Sequence, residues 1–220
     1  MISVITPTNR DKKALELVDK ALKQQSFRDF EWIVIRPEKI PSYLCWSLNR
    51  DYNKAIRKAK GDLIVSWQDY TYAKPDTLEK FYFHFKNEPK TLVSAVGNKY
   101  SDDSFLVEMW KDPRIEEGKT YYEVPFHYIE FNLCSVPKKA FYDVGGFDEE
   151  LDKWYGMDGY SVVDRLNMIG GYKFKIDNTI RTYSLEHDRP PNWEEKNAIH
   201  GAYQERRKFY LVNPKLNYLK

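Results

Sequence analysis

Apolar and polar positions alternate over the first hundred residues in a way that predicts strands and helices in turn. Ile2-Ser3-Val4-Ile5-Thr6 is a short β-branched run stopped by Pro7, which has no N–H to extend a ladder, and it reads as a buried strand. From Lys12 to Gln25, Leu15, Val18 and Leu22 recur at helical spacing with Ala14 and Ala21 beside them. Glu31 to Ile35 is a second strand-like run, closed by Pro37. Tyr52 to Lys60 predicts a helix ending at Gly61, Asp62 to Trp67 a third strand, Thr77 to Phe85 a helix, and Leu92 to Val96 a further strand.

This alternation is the pattern of an α/β unit, so the expected fold is a single α/β, Rossmann-like domain. Its central, mostly parallel sheet is flanked by helices and followed by a C-terminal helical tail. Ligands of such sheets bind beyond the carboxyl ends of the strands. Those ends are Pro7 to Arg10, Arg36 to Glu38 and Gln68 to Thr71. Beyond Gly97 the periodicity loosens, and 97–126 reads as hairpins and loops. Lys138 to Tyr142 and Gly159 to Ile169 predict helices, the second ending at Gly170-Gly171. Tyr172 to Ile176 and Thr179 to Tyr183 predict two strands around an Asp177-Asn178 turn, and Trp193 to Val212 a last, polar helix. The domain is expected over 1–190, with halves 1–96 and 97–190, and 191–220 as the helical extension.

Charge and composition then narrow the classes. Thirty-five basic and 33 acidic residues leave a net charge of +2, too balanced for bulk attraction to nucleic acid or a membrane surface. The local cluster Arg206-Arg207-Lys208 reads as a solvated helix face. Hydrophobic residues at 42% and charged residues at 31% fit a globular protein. No run approaches the roughly 18 apolar residues of a membrane span, and no signal peptide is visible. Cys45 and Cys134 stand apart in apolar stretches with neither disulfide nor metal spacing, so a cytoplasmic location is the expectation. Aromatics reach 16%, with 17 Tyr and 6 Trp. Their flat faces and polar handles suit sugar or base binding as well as core filling.

From roughly Ile2 to His187 the chain resembles the family-2 inverting glycosyltransferases of the GT-A fold. Ser3-Val4-Ile5-Thr6-Pro7-Thr8-Asn9-Arg10 resembles the family's first strand and its Pro-Thr-x-Asn-Arg turn, one residue shorter. Asn53 to Ala59, followed by Gly61-Asp62-Leu63-Ile64-Val65, resembles the helix and strand that lead to the metal site. Val136-Pro137-Lys138, Phe141, Gly145-Gly146-Phe147-Asp148-Glu149, and Gly156-Met157-Asp158 with Arg165-Leu166 resemble the acceptor-side block. The resemblance implies that 1–96 is the nucleotide-sugar-binding half and 97–190 the acceptor and catalytic half. It further implies sugar transfer, with inversion, from a nucleotide-sugar donor (a UDP-sugar is favoured) to an acceptor hydroxyl. The acceptor stays open among a glycan, a lipid-linked sugar, a protein and a modified base.

A diphosphate leaving group needs its growing charge neutralised, which the family does with Mn2+ or Mg2+ on an Asp-x-Asp motif. Gln68-Asp69-Tyr70-Thr71 stands there instead, so Asp69 is the expected metal ligand, with His187 as a second. The plain alternatives are a turn cap for Asp69 and a structural role for His187. Pro7, Thr8, Arg10, Gln68 and Asp69 are the expected donor contacts, with Gly145 and Gly146 making a tight turn beside the donor sugar or sending Phe147 into the core. Arg36-Pro37-Glu38 replaces the acidic pair that the family places on base and ribose. Asp158 stands where the family has its general base, at a helix start where the macrodipole favours the ionised form; a simple N-cap is the alternative. Trp154, Tyr155 and Asp148 are the expected acceptor contacts, and Trp110 is a further aromatic platform. Two other classes compete. One is a catalytically silent GT-A-like module that binds a glycan or protein. The other is a nucleotidylyltransferase, whose Gly-rich phosphate loop is missing from Pro7 to Lys12.

Overall fold

The computed structural model describes residues 1–10, 12–37, 40, 42, 44–154, 157–186 and 199–220. In chain order the elements are β1 (Ile2–Pro7), α1 (Lys12–Lys23), β2 (Phe30–Ile35), α2 (Leu48–Lys58), β3 (Leu63–Trp67), β4 (Thr71–Ala73) and α3 (Thr77–Asn87). They continue with β5 (Thr91–Tyr100), β6 (Glu108–Trp110), β7 (Tyr121–Glu123), β8 (Leu133–Pro137), α4 (Lys138–Val144), α5 (Asp158–Ile169), β9 (Lys173–Leu185) and α6 (Ile199–Val212).

All the strands join one sheet in the order β2-β1-β3-β8-β5-β9-β4, with β6 on β5 and β7 on β9. β2, β1 and β3 are parallel; β8 runs antiparallel to both β3 and β5, which therefore share a direction, and β9 follows β5. β4 is reversed against β9. The sheet is thus mixed but mostly parallel along its length, as expected for the α/β class.

Strand alternation sorts the core into two layers. Ile2 and Val4 of β1 and Leu63, Val65 and Trp67 of β3 face α1 and α3, meeting Val18, Ala21, Leu22, Leu78 and Phe81. Ile5 and Ile64 face the opposite way, toward Tyr52, Ala55 and Ile56 of α2, Phe141 and Val144 of α4, and Val162, Val163 and Leu166 of α5. β1, β3 and β8 are buried at every position, so apolar side chains occupy both faces and the few hydroxyls among them, Ser3, Thr6, Ser66 and Ser135, are buried as well.

Two local readings change. Leu133–Pro137 was not expected as a strand, yet β8 is wedged between β3 and β5. The segments on either side of Asp177-Asn178 are one strand, β9, rather than two. Its register jumps from Ser94↔Ile176 to Val96↔Arg181, so the turn residues form a bulge. Asp177 holds that bulge by accepting the Thr179 amide and hydroxyl, each at 2.7 Å.

The C-terminal helix is fastened by buried charge. Asp148, fully buried after α4, accepts Arg206 Nε at 2.5 Å and Nη2 at 3.1 Å, Tyr210 Oη at 2.5 Å, Tyr218 Oη at 3.1 Å and the Glu150 amide at 3.1 Å. Asp164 of α5, also fully buried, accepts Tyr203 Oη and Arg207 Nε, both at 2.7 Å. The basic cluster is therefore no plain solvated face: Arg206 and Arg207 are anchors, while Lys208 pairs with exposed Glu205. No helix among the described residues is long and apolar enough to cross a membrane.

Candidate active site

The turn after β3 closes on itself. Wholly buried Trp67 donates from Nε1 to the Thr71 carbonyl at 2.8 Å, and the Thr71 amide donates to the Gln68 carbonyl at 3.1 Å. The Gln68 amide reaches the Asn132 carbonyl at 2.9 Å, extending the β3–β8 pairing by one step. Asp69 sits on this turn, buried, at the carboxyl end of the strand. Its Oδ2 accepts the Thr8 hydroxyl, and Arg10 Nη1 lies 3.7 Å from Oδ1. Thr8 follows Pro7, the last residue of β1, and is positioned by its amide bond to the Ile35 carbonyl at 2.9 Å. Its hydroxyl also accepts the Arg10 amide at 3.0 Å, and the Arg10 guanidinium stands 5.2 Å from the centre of the Tyr70 ring. At the end of β2, exposed Arg36 donates to the Arg10 carbonyl. Pro7, Thr8, Arg10, Gln68 and Asp69 thus share one edge, where β1 and β3 end.

Asp158 reaches the same edge from the other half of the chain. It is the first residue of α5 and follows Met157, whose φ of 60° lies in the left-handed region that disfavours a side chain. Gly159 lets the helix start press on Phe131: a Cβ there would come within 2.2 Å of that ring. Phe131 stands two residues before β8, next to the end of β3, so Asp158 and Asp69 converge. Tyr70 registers both. Its hydroxyl is pushed up chiefly by burial and then by the Asp69 and Asp158 charges. Tyr52, fully buried and stacked 4.3 Å from Phe147, is raised by burial and then by Asp158.

The expectation that the helix start keeps Asp158 readily ionised is reversed. Burial pushes its pKa up and outweighs the amides of Asp158 and Gly159, which pull it down. Desolvation beats the helix terminus here because taking a carboxylate out of water costs more than a partial charge returns.

Other expected contacts lie elsewhere. Gly145 (φ 72°) ends α4, and a Cβ on it would strike the Leu216 carbonyl oxygen at 1.7 Å; a Cβ on Gly146 (φ 92°) would come within 2.5 Å of Asn53 Oδ1. Both glycines therefore seat the C-terminal tail and α2 and feed Phe147 into the core. Fully buried Arg165 fills the space behind them, donating to the Val144 and Gly146 carbonyls at 2.7 and 2.6 Å. The Asp148 carboxylate is committed to α6, and half-buried Trp154 packs in the cluster of Leu151, Tyr203, Tyr210 and Leu216. Tyr155 and His187 lie outside the described residues, as does Glu38.

Among the described residues no three His, Cys, Asp or Glu side chains gather as a metal centre. Asp69 alone fits the smallest donor set for a hard divalent cation. That set is one protein carboxylate, with substrate phosphates and water supplying the remaining positions. With one hydroxyl donor and a guanidinium at 3.7 Å, its oxygens keep lone pairs to give. Residues missed by the sequence reading are Tyr70, Asn132 and Gly159. Tyr70 donates to Asn132 Oδ1 at 2.9 Å across the mouth of β8, a contact between positions 62 apart that local pattern does not carry.

No protein-family model matches the chain, and no curated protein matches it in sequence. Solved structures do. The chain is similar to residues 1–349 of S. aureus TarS in complex with UDP (TM-score 0.65, 13% identity), over 94% of this chain and 71% of that one. It is similar also to TarS 1–349 in complex with UDP-GlcNAc (TM-score 0.66, 13% identity), over 97% and 72%. A third TarS 1–349 structure aligns at TM-score 0.64 and 14% identity over 84% and 60%. The chain has the GT-A fold expected of nucleotide-sugar transferases.

Proposed function

We propose that this chain moves a sugar from a uridine diphosphate sugar to an acceptor hydroxyl with inversion, and that Asp158 accepts the proton of that hydroxyl. One observation carries the reading: two carboxylates about ninety positions apart come to the edge where parallel strands end, Asp69 on the turn after β3 and Asp158 at the start of α5, which packs on Phe131 beside Ser66 of β3. The UDP and UDP-GlcNAc complexes of TarS make a uridine diphosphate sugar the donor to test first.

On the donor side, Arg10 brings positive charge and Thr8 fixes the Asp69 carboxylate. A divalent ion such as Mn2+ or Mg2+, bound together with the donor, would be held by Asp69 and would take up charge from the departing diphosphate. On the opposite face, Asp158 must lie within hydrogen-bond reach of the acceptor oxygen. Its raised pKa makes it a stronger base than a solvated carboxylate, which suits the removal of a hydroxyl proton as the new bond forms. Attack from that face, away from the diphosphate, inverts the anomeric centre.

Calorimetry with UDP, with and without Mn2+, tests the donor side. Proton NMR of slow UDP-GlcNAc hydrolysis tests the chemistry: the α-linked donor should release the β anomer first, and only in the presence of intact Asp158. Release of the α anomer, or an Asp158→Asn variant that hydrolyses normally, rules out the mechanism. Tight UDP binding without any turnover would favour the silent binding module instead.

A further inference from the structure

Arg10 is held by its backbone on both sides. The Thr8 hydroxyl accepts its amide at 3.0 Å, and Arg36 donates to its carbonyl. The side chain therefore leaves the end of β1 from a fixed point. Its guanidinium stands between the Asp69 carboxylate, at 3.7 Å, and the Tyr70 ring, at 5.2 Å from the centre. That ring is itself fastened. The Tyr70 carbonyl accepts the amide of Leu185, the last residue of β9, at 2.8 Å, and the Tyr70 hydroxyl donates to Asn132 Oδ1 at 2.9 Å. Asn132 stands just before β8, and its carbonyl accepts the Gln68 amide at 2.9 Å. The turn that carries Asp69 and Tyr70 is thus tied to the neighbouring strand through backbone and side chain alike.

The two supports of Arg10 differ in what they take from it. A carboxylate that hydrogen-bonds a guanidinium occupies its N–H donors, as Asp148 does with Nε and Nη2 of Arg206. An aromatic face attracts the cation through its π electrons and occupies none. At 3.7 Å the Asp69 contact is an ion pair too long for a hydrogen bond. A divalent ion on Asp69 would compete for that same carboxylate. The ring keeps its hold with or without the ion, and it leaves the guanidinium's donors for a phosphate, which takes two of them side by side.

We propose that Tyr70 is a positioning residue for the donor: its ring aims the Arg10 guanidinium at the diphosphate, and Asn132 steadies the ring. The word diphosphate rests on the transfer reading above. Calorimetry in Mn2+ follows UDP on the full chain, and uridine, which carries no phosphate, is measured by competition. Arg10→Met should weaken UDP about tenfold and leave uridine within about twofold. Tyr70→Leu should weaken UDP about five- to tenfold, but by less than about twofold once Arg10→Met is present, again with uridine unchanged. Tyr70→Phe keeps the ring and Asn132→Ala keeps the whole tyrosine; each removes the hydroxyl tie and should weaken UDP about two- to threefold, only with Arg10 present. These two variants carry the test if Tyr70→Leu does not fold. Undiminished UDP affinity in Tyr70→Leu, or in both of the milder variants, overturns the proposal. So does an equal loss of uridine, or a loss of the same size with Arg10 already replaced, since either would mean that Tyr70 only supports the fold. UDP affinity untouched by Arg10→Met overturns the proposal alone, whereas failure of the unmodified chain to bind UDP removes the transfer reading as well.

Discussion

Two carboxylate–arginine sites in this molecule look alike as residue types and differ in what they hold in reserve. Under α6, Asp148 collects five hydrogen bonds from Arg206, Tyr210, Tyr218 and the Glu150 amide. At the end of β3, Asp69 takes one hydroxyl from Thr8 and faces Arg10 at 3.7 Å. A carboxylate has about four lone-pair directions, so Asp148 is saturated while Asp69 has capacity left for a ligand. The same contrast separates Arg206, bound by a buried acid, from Arg10, half-buried above a tyrosine ring at the open end of the sheet. Saturation marks a site built for stability, and incomplete pairing at a strand end marks one built for chemistry.

The largest effect expected is at the base. Asp158→Asn should lower transfer, or donor hydrolysis, by about 10²–10⁴-fold in single-turnover assays while UDP affinity stays within about twofold. Next comes the saturated site. Asp148→Ala strands a mostly buried guanidinium and three hydroxyl or amide donors, and should cost about 3 kcal/mol, a fall of roughly 6–12 °C in melting temperature. Its UDP affinity, measured well below melting, should not change. Asp69→Asn should do the reverse, weakening UDP in Mn2+ by about ten- to a hundredfold with melting within about 2 °C. If Asp69→Asn unfolds the protein, or Asp148→Ala loses UDP binding while folded, the contrast between the two sites fails.

The smaller effects are in pH. The base must be ionised to accept a proton, and the Asp158 pKa is raised, so the acid limb of the rate profile should lie above the usual aspartate value of about 3.9. A limb at or below that value would mean that another group limits the rate. Asp148 shifts oppositely: burial raises it, but Arg206 and Tyr210 pull it below its ordinary value. Its contribution to stability is therefore complete above about pH 4 and fades as pH falls through the lowered pKa. Acid titration of melting temperature should show a shallower loss in Asp148→Asn than in the unmodified chain.

The residues at the ends of β1 and β3 were more legible in the sequence than the block from Gly145 to Trp154. Thr8, Arg10 and Asp69 follow strands whose apolar runs announce themselves, and parallel strands put their carboxyl ends at one edge whatever the loops do. Gly145, Gly146, Asp148 and Trp154 carried equally clear motifs, yet their partners are Leu216, Asn53, Arg206 and Tyr203, scattered up to and beyond the last helix. A motif records which residue types recur, not which surface they turn toward.

By itself, then, the chain determined its layers: the β-branched, mostly apolar runs of β1 and β3, buried throughout, the period-3.6 stripes on α1 and α2, and the breaks at Pro7 and Gly61 follow from local sterics and the withdrawal of apolar surface from water. Tertiary structure alone decided that β8 enters the sheet in reverse, that a basic pair on α6 locks onto two buried aspartates, and that Asp158 comes to the start of a helix packed on Phe131 with its proton affinity raised. Each of these depends on the local dielectric and on partners tens of residues away, and such quantities exist only once the chain has closed on itself.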